Sequence, residues 1–132
     1  MNKKDFDRCI KIAISEFDRL KKLNEESSYL HWSFIFQDRV LIDWSTNRKA
    51  DSFARFGYEP GRRYDHAEPR AFRKSIGIMD IRRNWDIFNV RLNRSKEPAM
   101  ARPCNICWHF LYSAGCRNAF YTDGKGISKL ML

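Results

Sequence analysis

Residues 4 to 23 place Phe6, Ile10, Ala13, Phe17 and Leu20 at steps of three and four, with Lys, Arg, Asp and Glu between them. That period gathers the apolar side chains into one stripe and predicts an amphipathic helix laid on a core. Cys9 lies beside the stripe and reads as a small buried thiol. Asn24-Glu25-Glu26-Ser27-Ser28 breaks the pattern. Tyr29 to Phe36 and Val40 to Thr46 are then aromatic and β-branched runs separated by Gln37-Asp38-Arg39, which predicts a β-hairpin. From Asn47 to Asp65 the chain turns polar, with Gly57, Pro60, Gly61 and several arginines. This reads as a long loop, and loops of that length in compact domains commonly carry function.

Asp65-His66-Ala67-Glu68 has the form of a helix start, an Asp N-cap followed three residues later by Glu. Pro69 falls in the first turn, where its missing N–H does no harm, and the helix runs through Phe72 and Ile76 to about Gly77. Trp85 to Leu92 predicts a third strand and Asn93 to Arg102 a basic loop. Pro103 opens a helix from Cys104 to Ala114 that Gly115 closes. Ala119 to Thr122 is a fourth short strand. Asp123-Gly124-Lys125-Gly126 is a turn signal, and Ile127 to Leu132 returns as a fifth strand. This order of elements implies an α/β fold, helices against a mixed sheet, in a single domain spanning residues 1–132.

Composition narrows the class. A 132-residue chain that is 43% hydrophobic and 14% aromatic is too rich in core formers for a disordered tail. It is long enough to bury a core without disulfide staples. No stretch approaches the ~18 apolar residues of a membrane span, and Met1-Asn2-Lys3-Lys4-Asp5 runs into a charged pattern unlike a signal peptide. Four cysteines, two of them in a Cys-x-x-Cys pair, do not make a secreted disulfide framework, so a reduced, intracellular setting is expected. Twenty-five Lys and Arg against 16 Asp and Glu give a net charge of +9, which favours polyanionic partners. Taken alone, that charge also serves solubility.

The candidate chemistry sits at two predicted helix starts, His66-Ala67-Glu68 and Pro103-Cys104-Asn105-Ile106-Cys107. Cys104 and Cys107 are three apart, so on a helix both sulfurs face one side and can share a metal ion. A helix N-terminus also favours thiolate, because its orphan N–H groups and dipole stabilise negative charge. One imidazole nitrogen and two thiolates give zinc three protein ligands and leave a fourth position for water, as a catalytic site requires. Glu68, two residues from His66, then stands beside the metal without binding it. A purely structural zinc takes four protein ligands, and Cys116 and His109 are the nearby candidates for the fourth. His109, two residues from Cys107, points to a different side of the helix, and Cys116 lies beyond the helix end. Taken alone, Cys-x-x-Cys also describes a redox pair.

A His-x-Glu followed by Pro-Cys-x-x-Cys resembles the signature of the zinc deaminases. From about Tyr29 to the C-terminus the chain resembles the cytidine deaminase superfamily. Asn47 ends the second predicted strand, where many members place an asparagine that contacts the substrate sugar. Gly115-Cys116-Arg117-Asn118-Ala119-Phe120-Tyr121 looks like the family's passage from helix into fourth strand. The resemblance implies a three-layer α/β/α fold with a five-stranded mixed sheet and helices on both faces. It implies zinc on His66, Cys104 and Cys107, Glu68 as proton shuttle, and Ala67, Pro103 and Tyr121 beside Asn47 at the substrate. The short tail after Tyr121 suits the branch whose fourth and fifth strands form an antiparallel hairpin, which includes free-cytidine and bacterial toxin deaminases. Pro69-Arg70-Ala71 after Glu68 matches no clear subfamily fingerprint. The implied reaction is hydrolytic conversion of cytosine to uracil, and adenine to hypoxanthine uses the same atoms.

For the substrate, Arg48, Arg55, Arg62, Arg63 and Arg102 fall in loops expected around the zinc mouth, with Phe56, Tyr58, Tyr64 and Tyr121 interleaved or close by. Cation plus π-face is how single strands are held without reading every base. With the net charge, this makes cytosine in single-stranded DNA the expected substrate, with Arg62 and Arg63 among its contacts. The alternative is a free cytidine nucleoside or a nucleotide such as dCMP, for which one or two arginines suffice. A third reading, a zinc-containing nucleic-acid-binding module without catalysis, leaves Glu68 without a purpose. His31, beside Trp32 in a predicted strand, is expected to be packed or at the surface. Trp44, Trp85 and Trp108 are expected in the core, and Asn47 alternatively caps a turn.

Overall fold

The computed structural model describes residues 1–23, 30–49 and 64–132. In chain order these form α1 (Lys3–Leu23), β1 (Leu30–Gln37), β2 (Val40–Thr46), β3 (Arg48–Lys49) and β4 (Tyr64–Asp65). There follow α2 (Ala67–Ser75), β5 (Trp85–Leu92), β6 (Pro98–Ala99), α3 (Asn105–Ser113), β7 (Cys116–Thr122) and β8 (Ile127–Met131). The main sheet runs β2-β1-β5-β7-β8, antiparallel except for the parallel β5–β7 pair, so it is mixed as expected. The β7–β8 pair is the antiparallel hairpin that the short tail suggested.

Alternate side chains of a strand point to opposite faces, and here both faces are covered. Trp32, Phe34 and Phe36 of β1 with Phe88, Val90 and Leu92 of β5 pack under Cys9, Ala13, Phe17 and Leu20 of α1. The intervening Ile35 and Ile87, with Trp85 and Ala119, pack against Ala71 of α2 and Leu111 of α3. This makes three layers, with α1 on one face and α2 and α3 on the other. Each of these large apolar side chains stabilises the fold by about 1.5–3 kcal/mol on full burial. Cys9 lies inside the α1 layer, where burial pushes its thiol up to about 12, as befits an inert packing thiol. No described helix is long and apolar enough to cross a membrane.

Three local expectations change. The segment read as a plain loop from Asn93 to Arg102 contains β6, a sixth strand, paired with Arg91 and Leu92. Two residues carry no periodicity, so only the tertiary partner makes them a strand. The predicted long loop is pinned at its base by β3 and β4, Arg48 pairing with Asp65, which brings the end of β2 close to the start of α2. The N-cap of α2 is His66 rather than Asp65, and Glu68 is buried instead of reaching back to close a capping box. At the end of α3, Gly115 adopts φ +92°, a left-handed turn open to glycine, and the chain passes directly into β7.

Candidate active site

Two helix N-termini converge on the sheet face occupied by α2 and α3. His66 is the N-cap of α2 and Cys104 the N-cap of α3, both in extended conformation, and neither side chain makes a capping bond. Those side chains meet each other instead. His66 Nδ1 lies 3.0 Å from Cys107 Sγ and 3.6 Å from Cys104 Sγ, and the three ligand atoms all lie within 4.8 Å of one another. Four-coordinate zinc with Zn–S bonds near 2.3 Å spans neighbouring ligands by roughly 3.5–3.8 Å, so the spacing suits one shared ion. One nitrogen and two sulfurs are also the donor chemistry zinc prefers, so the residues fit the metal.

The electrostatics treat the two thiols differently. The Cys104 thiol is held well below the ordinary thiol range, first by its hydrogen bond to Cys107 and then by its bond to His66. Cys107 is pushed up, first by that same bond with Cys104, then by burial and the nearby charge of Glu68. Cys104 is exposed and Cys107 buried, and metal binding at such a pair requires both sulfurs as thiolates.

Glu68, in the first turn of α2, is 2% exposed. Its Oε2 accepts a hydrogen bond from Asn89 Nδ2 at 3.1 Å, and its Oε1 lies 3.8 Å from His31 Nε2. Asn47, at the end of β2, accepts a bond from the His31 N–H on its Oδ1 at 2.9 Å, while its own N–H donates to the His31 carbonyl at 3.1 Å. That reciprocal pair ties the end of β2 to the start of β1. Arg70, on α2, donates to the Thr46 carbonyl and ties the same corner to the helix.

No family model and no curated protein matches the sequence. Among solved structures, the dCMP deaminase of the cyanophage S-TIM5 in complex with dCMP and dUMP aligns with a TM-score of 0.58 at 15% identity, over 92% of this chain and 82% of that one. The apo form of the same enzyme aligns with a TM-score of 0.55 at 12% identity, over 92% and 84%. The fold is cytidine-deaminase-like. A chain so distant in sequence retains the layer order because pattern and burial specify it, while identity at individual positions does not.

Within this cytidine-deaminase-like fold the predicted site residues separate clearly. His66, Cys104, Cys107 and Glu68 come together. Ala67 and Pro103, beside the ligands in sequence, are buried, and Asn47 is 8% exposed. Tyr121 is half-buried in β7, in register with Asn89. Arg62 and Arg63 lie outside the described residues, as do Arg55, Phe56 and Tyr58; Arg48 and Tyr64 are described only as backbone in β3 and β4. Arg102 is exposed next to Pro103. Neither alternative zinc ligand joins the cluster: Cys116 is buried in the core beside Trp85, and His109 packs edge-on against Trp108.

Trp85 is core as expected, Trp44 packs partly buried against the α1 side, and Trp108 stacks on Tyr112 along α3. His31, expected to be packed or at the surface, is packed, and it lies on the site face beside Glu68. Burial holds its imidazole below the ordinary value, with the Glu68 charge opposing and His66 reinforcing the shift. Asn89 and Ser33 were not singled out by sequence either. Each is a polar position inside a run rich in apolar residues, which marks it in the sequence without showing which face it occupies.

Proposed function

We propose that this chain is a zinc-dependent hydrolytic deaminase that converts the cytosine of a free nucleotide, dCMP or a close relative, to uracil. The observation that carries the reading is the convergence of His66, Cys104 and Cys107 at two helix N-termini, with Glu68 buried beside them. A redox pair or a metal cradle alone has no use for a buried carboxylate there. His66, Cys104 and Cys107 would hold zinc, which when bound supplies the Lewis acidity that lets water attack near neutral pH.

Glu68 does the proton work. It accepts the proton of the attacking water, delivers it to the ring nitrogen next to the amine-bearing carbon, and assists protonation of the departing amine. The carbon–nitrogen bond breaks, ammonia leaves, and the water oxygen remains as the carbonyl. Burial of Glu68 keeps bulk water from competing for that proton. Ala67, Pro103, Asn47 and Tyr121 stand close enough in chain or register to shape the base and sugar pocket.

The choice of a free nucleotide over a polymer draws support from the structural neighbour, which holds dCMP and dUMP. The expectation of single-stranded DNA rested on arginines that fall mainly between positions 50 and 63, outside the described residues. The net charge of +9 still favours a polyanion, and it makes single-stranded DNA the second reading. Incubation with cytidine, dCMP, single-stranded DNA, duplex DNA and RNA in parallel, with products read by mass spectrometry, separates them. Amine-to-carbonyl conversion of dCMP is expected, and turnover of the oligonucleotide with none of dCMP would assign the polymer instead.

A further inference from the structure

We propose that Asn89 is a positioning residue that holds the Glu68 carboxylate by Oε2 and so reserves Oε1 for the travelling proton; this rests on the reading of Glu68 as proton shuttle. Asn89 lies on β5 with no exposed surface, on the face shared by α2 and α3. Its Nδ2 donates to Glu68 Oε2 at 3.1 Å and to the Ala101 carbonyl at 3.4 Å. Its Oδ1 accepts from Ser33 Oγ at 2.7 Å, across the β1–β5 register in which Ser33 and Asn89 are partners. The orientation of the amide follows from its neighbours. A carboxylate and a carbonyl only accept, so the NH₂ group must face them, and the serine hydroxyl then meets the amide oxygen as donor.

Both donors and the acceptor of this amide are thereby engaged. The pair stands in an apolar neighbourhood of Ile35, Ile87 and Ala119, where burying polar groups costs stability unless each is bonded. An ordinary sheet would place apolar residues at these two partners. The chain from Ser33 through Asn89 instead ends on Glu68. The terminal torsion of a glutamate is broad, so a carboxylate without an anchor samples both oxygens. A charge-assisted bond to one oxygen selects the other for chemistry.

The test uses zinc-loaded full-length protein. Asn89→Leu should keep one zinc per chain and a KM close to wild type while lowering kcat about 10-fold or more, the usual scale for residues that orient catalytic groups. Ser33→Ala should act in the same direction more weakly, and Ser33→Thr, which restores the hydroxyl, should recover kcat. Thermal unfolding gives a readout independent of turnover. Asn89→Leu should destabilise the wild-type protein more than it destabilises Glu68→Gln, because only the wild type loses a donor to a buried charge. Unchanged kcat with zinc retained, or equal destabilisation in the two backgrounds, overturns the proposal. If Asn89→Leu fails to fold, the Ser33→Ala and Ser33→Thr pair decides by the same kcat criterion. A wild type inactive on every cytosine substrate removes the deaminase reading, while the unfolding comparison still decides whether Asn89 holds Glu68.

Discussion

His66 and Cys104 occupy the position at which helices most often carry Ser, Thr, Asp or Asn, and neither caps its helix. Forgoing a cap costs about 1 kcal/mol per helix, and the side chains are thereby free to meet across the gap between α2 and α3. Cys104→Ser should therefore stabilise the metal-free protein by roughly 0.5–1 kcal/mol, since a serine hydroxyl caps well, and should lose zinc. Unfolding in chelator and zinc stoichiometry check the two halves. Glu68→Gln conserves shape without a shuttling proton, so it should keep zinc and lose about 10²–10⁴-fold or more in turnover. Wild-type-like turnover in zinc-loaded Glu68→Gln would remove the assigned role. At His31 the sign runs toward acid instability. Burial depresses the folded-state value below the ordinary 6.5, with Glu68 and Asn89 opposing and His66 and Arg91 reinforcing. The unfolded chain then binds the proton first, so stability is complete above about pH 6.5 and falls as pH drops toward the depressed folded value. Thermal unfolding across that interval should show a shallower loss in His31→Gln than in wild type.

At the scale of elements, the β1–β2 hairpin turns through Asp38 and Arg39, both at positive φ, +53° and +65°. Asp tolerates that region, but an arginine Cβ does not sit there without strain. Arg39→Gly should stabilise the fold by about 0.5–1 kcal/mol after glycine's entropic cost and so raise the unfolding midpoint, and a lowered midpoint would show that the arginine side chain matters more. The same turn shows what sequence can and cannot reveal. The hairpin was legible because Val40 to Thr46 and the run before it are β-branched and aromatic, whereas the turn sequence carries no glycine to announce its geometry. β5 was legible to its end residues, and α1 nearly so, since each carries a full-length hydrophobic period. β7 begins at Cys116, three residues before the expected Ala119, because Gly115 hands the chain straight into a strand pairing that begins beside Trp85. Asp65 and Glu68 mimic a capping box locally, and only the buried site explains why Glu68 turns away. The three residues whose ligand atoms cluster, His66, Cys104 and Cys107, were legible as candidates because they fall in two short segments. His31, Ser33 and Asn89 were not, because their role depends on strand register and on which face the helices cover.

At the scale of the whole molecule, part of the net charge lies on the sheet face away from the site. α1 alone contributes seven basic against four acidic residues, a third of the net +9, and it packs on the face opposite α2, α3 and the site. That share of the charge does not line the mouth of the metal cluster, so the net figure overstates the pull on a polymer at the site. A free nucleotide brings one phosphate and no condensed counterion atmosphere, and it feels salt only through screening. A single strand releases counterions at each neutralised phosphate, so its binding falls with a slope of about −0.7 per contact in log–log form. For dCMP, kcat/KM should therefore decline gently with added salt. In the same buffers an oligonucleotide should be neither converted nor an effective competitor near physiological ionic strength. The opposite outcome has a definite signature. An oligonucleotide substrate whose kcat/KM falls with several times that unit slope, and whose slope flattens when Arg62 and Arg63 are both replaced by Gln, would transfer the assignment to single-stranded DNA. It would also make residues 50 to 63, rather than the scaffold around Asn47 and His31, the determinant of what this site accepts.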